Sequence, residues 1–161
     1  MDGMREPRWL NDEEKHAWYA FLTAGALVNR QIEQQLKTDA GLSHPQYEIL
    51  VRLADTPDGS LRMTDLANAL LTTKSGLTYQ VGQLEKLGLV ARRGCPTDDR
   101  SVFAVLTDAG RERLGGAAPG HVAAVRDALV DVLTPAQLAC LADALGTVAR
   151  RLQSPGQSPG T

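Results

Sequence analysis

A mainly α fold with one small β-hairpin is what this sequence predicts, an α+β chain with far more helix than strand, and three observations predict it. Apolar residues recur at helical spacing along both ends of the chain. Ser, Thr or Asn stands three residues before Glu or Gln at several helix starts, the spacing of a capping box. Two short strand-like runs, Leu89 to Arg93 and Val102 to Leu106, flank a stretch rich in turn residues. The 161 residues, 43% of them hydrophobic, suffice for one core, so one domain with a dimerisation layer is expected.

Residues 1–10 lack periodicity and are expected to be flexible. Asn11 and Glu14 then open a long helix with apolar positions at Trp18, Phe21, Leu22, Gly25, Val28, Ile32 and Leu36, ending before Gly41. Ser43 and Gln46 repeat the pattern, with Pro45 in the first turn, and Tyr47, Leu50, Val51 and Ala54 form the inner face of a helix to about Asp55. Thr56-Pro57-Asp58-Gly59 is a turn, and Leu61-Arg62-Met63 is a candidate third strand beside the hairpin.

Thr64 is expected to cap a helix through Leu71, with Leu66, Ala67 and Leu70 inward. Thr72 or Thr73 caps the next helix, whose inward stripe is Leu77, Val81, Leu84 and Leu87. That leaves Thr73, Lys74, Ser75, Thr78, Tyr79, Gln80 and Gln83 outside. Hydroxyls, amides, one aromatic and one lysine make a face suited to hydrogen bonding with base edges and phosphates. A solvated face serving only protein contacts is the plain alternative. Gly88 ends this helix, and the stretch from Gly94 to Ser101, too long for a two-residue turn, forms a charged wing tip. Two helices and a hairpin in this order are a winged helix-turn-helix, expected over residues 41–107.

Thr107 caps a further helix through Leu114, kinked in the region Gly115 to Gly120 and resuming with Val122, Val125, Leu129 and Val132. Thr134-Pro135-Ala136-Gln137 opens a last helix. Its Leu138, Leu141, Leu145, Val148 and Leu152 make an apolar seam of the sort helices use to pair. Residues 154–161, SPGQSPGT, read as a disordered tail.

Charge is unevenly spread. From Leu61 to Arg113 eight bases meet six acids, a local balance of +2 in a chain whose total is −2. The start is charged rather than signal-like and no apolar run would span a membrane, so a cytoplasmic protein with no membrane partner is expected. Cys95 and Cys140 form no CxxC pair, and His16, His44 and His121 are scattered, so neither a metal site nor a cofactor is expected. Cys95 weighs as an inert loop thiol against a redox switch activated by Arg92, Arg93 or Arg100, and Cys140 as packing material on the last helix. No nucleophile and base pair, phosphate-binding glycine loop or paired catalytic carboxylates stand out, which argues against an enzyme.

The run LEKLGLVARR, with DDRSVFAVLT after it, resembles the MarR family of bacterial transcriptional regulators over roughly residues 11–152. The resemblance rests on Leu84-Glu85-Lys86-Leu87-Gly88-Leu89-Val90, on Asp98 and Arg100, and on Leu106-Thr107. It implies a triangular homodimer, with residues 11–40 and 108–153 as dimerisation helices, that binds a pseudo-palindromic double-stranded operator, most often as a repressor. It further implies that Arg100 reads the minor groove and that Asp98 orients it by an ion pair; Arg92 and Arg93, read from the sequence itself, are candidate phosphate contacts by proximity, weighed against an ordinary charged strand. A guanidinium is drawn to the negative minor groove, and a flexible wing needs something to position it. A small aromatic or phenolic effector that releases DNA is also implied, its pocket expected near Trp18, Phe21 and Tyr47.

Three departures from the family pattern stand out. Tyr79 occupies a place where arginine is frequent, Ser101 follows the wing arginine, and Gly76 and Gly82 lie inside the recognition helix at about 1 kcal/mol each relative to alanine. A winged-helix dimer that acts as a protein-interaction or ligand-sensing module without operator binding is the alternative function.

Overall fold

The computed structural model describes residues 7–153. Helix α1 spans Asp12–Ala40 and α2 His44–Ala54. Strand β1 is Ser60–Arg62, followed by helices α3, Met63–Ala69, and α4, Lys74–Lys86. Strands β2, Val90–Cys95, and β3, Asp98–Leu106, make the wing. Helix α5, Asp108–Val125, runs into a π-helical turn over Arg126–Val130, and α6 is Pro135–Gln153.

The helix starts follow local chemistry. Asn11 accepts from the Glu14 amide while the Glu14 carboxylate accepts from the Asn11 amide, and Ser43 with Gln46 and Thr134 with Gln137 do the same. Each exchange satisfies donors that the first turn would otherwise leave unpaired. Thr73 caps α4, but Thr64 caps nothing: α3 begins one residue earlier, after Arg62, without a side-chain cap. The turn between α3 and α4 places Leu71 at φ 52°, a left-handed conformation that costs a residue with a Cβ about 1 kcal/mol.

The sheet order is β1-β3-β2, all antiparallel, which places the Leu61 strand beside the hairpin as expected. The wing tip is tighter than its turn-rich sequence suggests. Pairing runs from Val90 opposite Leu106 to Gly94 opposite Val102, then jumps to Cys95 opposite Asp98. Only Pro96 and Thr97 connect the strands, and the surplus residues, Asp99, Arg100 and Ser101, form a bulge in β3.

Leu36, Leu42, Leu50, Leu53, Leu66, Leu77, Val81, Leu84 and Leu89 are fully buried in one core beneath the winged unit. Each such leucine contributes about 2 kcal/mol by leaving water. Helix α2 lies at the centre, with Ile49 and Leu53 joining the expected Tyr47 and Leu50 inside.

The outer layer differs from its sequence pattern. Of the α1 stripe only Ile32 and Leu36 are buried, with Ala40 below them, whereas Trp18, Phe21 and Leu22 are about half exposed. Leu87 ends up exposed as well, because α4 stops there and the chain turns away at Gly88, φ 71°. Helix α5 is unbroken through Pro119, although proline forgoes a hydrogen bond to Gly115. Packing against α1 offsets that loss: Ala117 is buried, and Gly120 lets Gln35 and Asp39 approach to where a methyl group would sit 3.1 and 3.4 Å away. The irregularity falls later, in the π-turn, where the Asp131 amide donates to the Arg126 carbonyl and the two side chains pair at 2.5 Å. Beyond it α6 leaves at 94° and buries none of its residues, Cys140 included. Among the described residues no single helix is long and apolar enough to cross a membrane.

Candidate nucleic-acid interface

The outward face of α4 carries Lys74, Ser75, Thr78 and Tyr79, all exposed, with Tyr79 62% accessible. Several of their hydrogen-bonding atoms are already in use. The Thr73 hydroxyl accepts from the Gly76 amide at 3.0 Å, and the Thr78 hydroxyl donates to the Lys74 carbonyl at 2.8 Å. Gly76 has a structural reason to be glycine: a Cβ there would meet the Thr73 and Thr72 hydroxyls at 3.0 and 3.2 Å, against the cap itself. Gly82 has open space around it and no such reason.

Gln83 is partly buried, and Gln80 does not join the outward face. It is half-buried on the back of α4, its Oε1 without a hydrogen-bond partner among the described residues. It lines a cavity of about 470 Å³ shared with His44, Glu48, Arg52, Leu71 and Thr72. Helical phase explains the misplacement, since residue 80 follows Leu77 by three positions and shares its side of the helix.

In the wing, the expected ion pair between Asp98 and Arg100 does not form among the described residues. Asp98 works through the backbone instead. Its Oδ1 accepts from the Arg100 amide at 3.0 Å and its Oδ2 from the Ser101 hydroxyl at 2.7 Å. Ser101 is thus part of the wing's support rather than a gap in it. The Ser101 hydroxyl and then the Arg100 amide hold the Asp98 carboxyl below its usual range, with the Arg62 charge adding to the effect. The bulge is pinned while the Arg100 guanidinium stays exposed.

Arg92 and Arg93 have different surroundings. Glu85, on the last turn of α4, accepts from the Arg92 amide at 3.2 Å, Nε at 2.7 Å and Nη2 at 2.6 Å. These bonds hold the Glu85 carboxyl below its ordinary value and tie helix to wing. Arg93 is exposed on β2. Cys95 is partly buried, and its thiol is pulled down chiefly by the Thr97 hydroxyl, 3.2 Å away, with Arg62 as the charge nearby rather than Arg92, Arg93 or Arg100.

Arg62 is the residue that sequence periodicity missed. It sits on β1 opposite Phe103, its guanidinium 5.5 Å from that ring. A three-residue strand offers too little pattern to assign its side-chain directions.

The aromatic residues suggested for an effector pocket are not brought together. Trp18 and Phe21 stack at 6.1 Å on α1, whereas Tyr47 is buried on α2 against the His121 ring at 4.3 Å. His44 and His121 lie 6.0 Å apart, but among the described residues no cluster is fit to hold a metal. His121 is held below the usual imidazole value, by burial first and then by His44.

A helix-turn-helix whose second helix is joined to a basic hairpin is the architecture of winged-helix DNA-binding proteins. The family model described as "MarR family" matches residues 40–101. The structure of Sco3205, a MarR family transcriptional regulator from Streptomyces coelicolor in complex with DNA, is similar at 46% identity and a TM-score of 0.90, over 93% of this chain and 94% of that one. AbsC, a MarR family transcriptional regulator of the same organism, is 41% identical with a TM-score of 0.87, over 91% of this chain and 99% of that one. The HTH-type transcriptional repressor YetL of Bacillus subtilis is 29% identical over 126 residues, 71% of this chain and 75% of YetL. The chain belongs to the MarR family of transcriptional regulators, and that family consists of regulators rather than enzymes.

Proposed function

We propose that this regulator binds a pseudo-palindromic operator as a homodimer and represses transcription, with α4 in the major groove and the wing at the flanking minor groove. The observation that carries the proposal is the joint between Glu85 and Arg92, which ties the last turn of α4 to the wing. Lys74, Ser75, Thr78 and Tyr79 are the base and phosphate contacts, with Thr73 and Gln83 at the edges, and Arg100 with Arg93 serves the wing. The DNA-bound state of Sco3205 and the repressor name of YetL support this choice.

Dimerisation is supported by the apolar surface that a single chain leaves uncovered. Trp18, Phe21 and Leu22 of α1 are accessible, as are Leu145, Val148 and Leu152 of α6, and Leu138 and Leu141 are only partly covered. Helices 11–40 and 108–153 are therefore the dimerisation elements, with residues 41–107 as the DNA-binding unit. Such an area of accessible apolar side chains calls for a partner. Release by a small aromatic or phenolic effector belongs to the same proposal and requires tighter binding of the effector to the DNA-incompetent arrangement.

Selection of bound fragments from genomic DNA, followed by anisotropy titration on the recovered sites, tests operator binding. Arg100→Ala is expected to weaken binding and lower its salt dependence. Failure to recover any sequence favours a protein-interaction or ligand-sensing role. Sedimentation velocity tests the dimer, a monomer at micromolar concentration being the contrary result. A panel of phenolic acids added to the DNA complex tests release, and no change in anisotropy across the panel counts against an effector of this class.

A further inference from the structure

Granted the proposed seating of α4 in the major groove, we infer that Tyr79 is its base reader, that the Tyr79 ring takes the C5-methyl group of a thymine in each half-site, and that Gly82 gives the DNA the clearance this requires. At about 100° per residue, Ser75, Tyr79 and Gly82 fall on the side of α4 turned away from Leu77, Val81 and Leu84, all three fully buried. Tyr79 stands at the middle of that side, 62% accessible, with a serine one turn before it and a glycine one turn after. A single aromatic side chain thus projects between two positions with little or no side chain.

The neighbours of Tyr79 have little left to offer a base edge. The Thr78 hydroxyl donates to the Lys74 carbonyl at 2.8 Å, so toward DNA it can only accept. Ser75 and Thr73 share a hydrogen bond at 3.3 Å, so one proton remains between the two hydroxyls. Gln80 lines the cavity behind the helix, Gln83 is partly buried, and α4 contains no arginine or asparagine. Lys74 lies about 140° around the helix from Tyr79 and serves the backbone rather than the same base pair. Guanine is read by a guanidinium or ammonium on O6 and N7, adenine by a side-chain amide on N6 and N7, and thymine by apolar contact with its methyl group. An exposed ring suits the third. The Tyr79 hydroxyl, with no partner among the described residues, is left to bond beyond it.

Gly82 is a second, independent mark of close approach. A glycine inside a helix gives up helix propensity, and nothing lies within 4 Å of a Cβ added at Gly82, so no packing within the chain asks for it. Gly76, the other glycine of α4, is explained by its own cap. Beside Tyr79 on the outward side, a missing side chain lets a duplex come closer to the helix. A methyl group there would stand between helix and groove and hold the Tyr79 ring short of the base pair.

In the test, operator duplexes recovered by genomic selection are resynthesised with each half-site thymine replaced in turn by uracil, which removes the methyl group alone, and titrated by anisotropy with the full chain. Wild type and Tyr79→Phe are expected to lose about fourfold per half-site at one thymine, the worth of one buried methyl group. Tyr79→Ala is expected to bind about tenfold more weakly and to ignore that replacement. Because the site is exposed, Tyr79→Ala should melt like wild type, which separates a lost contact from a lost fold. Gly82→Ala is expected to raise the urea midpoint yet weaken operator binding about tenfold with an unchanged salt slope, since no phosphate contact is removed. No uracil-sensitive thymine, or one that Tyr79→Ala still senses, overturns Tyr79 as the thymine reader while operator binding itself stands. Gly82→Ala binding as tightly as wild type overturns the clearance. Recovery of no sequence at all is failure of the proposed function, and thymine reading falls with it.

Discussion

Glu85 holds Arg92 through three atoms, its carboxylate facing the amide, Nε and Nη2 of a residue seven positions later in the chain. The pair bridges the end of α4 and the second residue of β2. Because both side chains are partly exposed, the contact contributes little to global stability and much to the angle between helix and wing.

Glu85→Gln is accordingly expected to cost about 1 kcal/mol at neutral pH by urea denaturation. Its carboxyl is depressed in the folded state, so this stabilisation is present above the ordinary carboxylate range and lost as pH falls through the folded value. The difference between wild type and Glu85→Gln should therefore shrink on acidification below about pH 4. A difference that persists at low pH would assign the contact a role other than this ion pair.

Asp98→Ala should leave thermal melting nearly unchanged and abolish amide-exchange protection at Arg100, since the carboxylate accepts from that amide and from Ser101 at an exposed site. Asp98→Asn, which keeps one acceptor oxygen, should retain part of the protection. Equal protection in wild type and Asp98→Ala would show that the bulge is held by its backbone alone.

Gly110 is buried in the first turn of α5, and a methyl group placed on it collides with the Leu89 carbonyl and sits 2.7 Å from Leu106 Cδ1. Backbone cannot yield as a side chain does, so Gly110→Ala is expected to destabilise by about 3 kcal/mol despite the higher helix propensity of alanine. Gly82→Ala, with nothing near it, should stabilise by up to about 1 kcal/mol. Denaturation midpoints of the two variants moving in the same direction would contradict the packing.

His121 is held below its usual value by burial beside Tyr47 and then by His44, with Glu48 acting the other way. Its folded value lies below the unfolded one, so the unfolded chain takes up its proton first on acidification. Stability from this residue is complete above about pH 6.5 and declines as pH falls toward the folded value. His121→Phe keeps a ring against Tyr47 and should flatten the decline in melting temperature between neutral and mildly acidic pH. An undiminished decline would place the titration elsewhere.

Local chemistry was the legible part of this chain. Asn11, Ser43, Thr73, Thr107 and Thr134 all cap the helices that their spacing predicts, because a cap is a contact within four residues. The wing strands and the Leu61 strand were equally visible. Contacts between elements were not. Gln80 reads as a surface amide until α2 packs behind it, and Asp98 reads as the partner of a guanidinium until the bulge turns the Arg100 amide toward it. Pro119 reads as a possible break, yet α5 is unbroken through it, with α1 packed alongside that turn.

By itself the sequence determined the order of the main helices and strands, most of the residues that cap the helices, and the family, since each depends on short-range spacing or on a motif read along the chain. Only the tertiary structure decided which arginine does what. Arg62, Arg92 and Arg100 are alike in chemistry, the last two within one hairpin. Their roles diverge because one lies beside Phe103, one is held by Glu85, and one stands on a bulge with its guanidinium exposed. Those surroundings come from strands and helices meeting across the fold, and no periodicity in the chain encodes them.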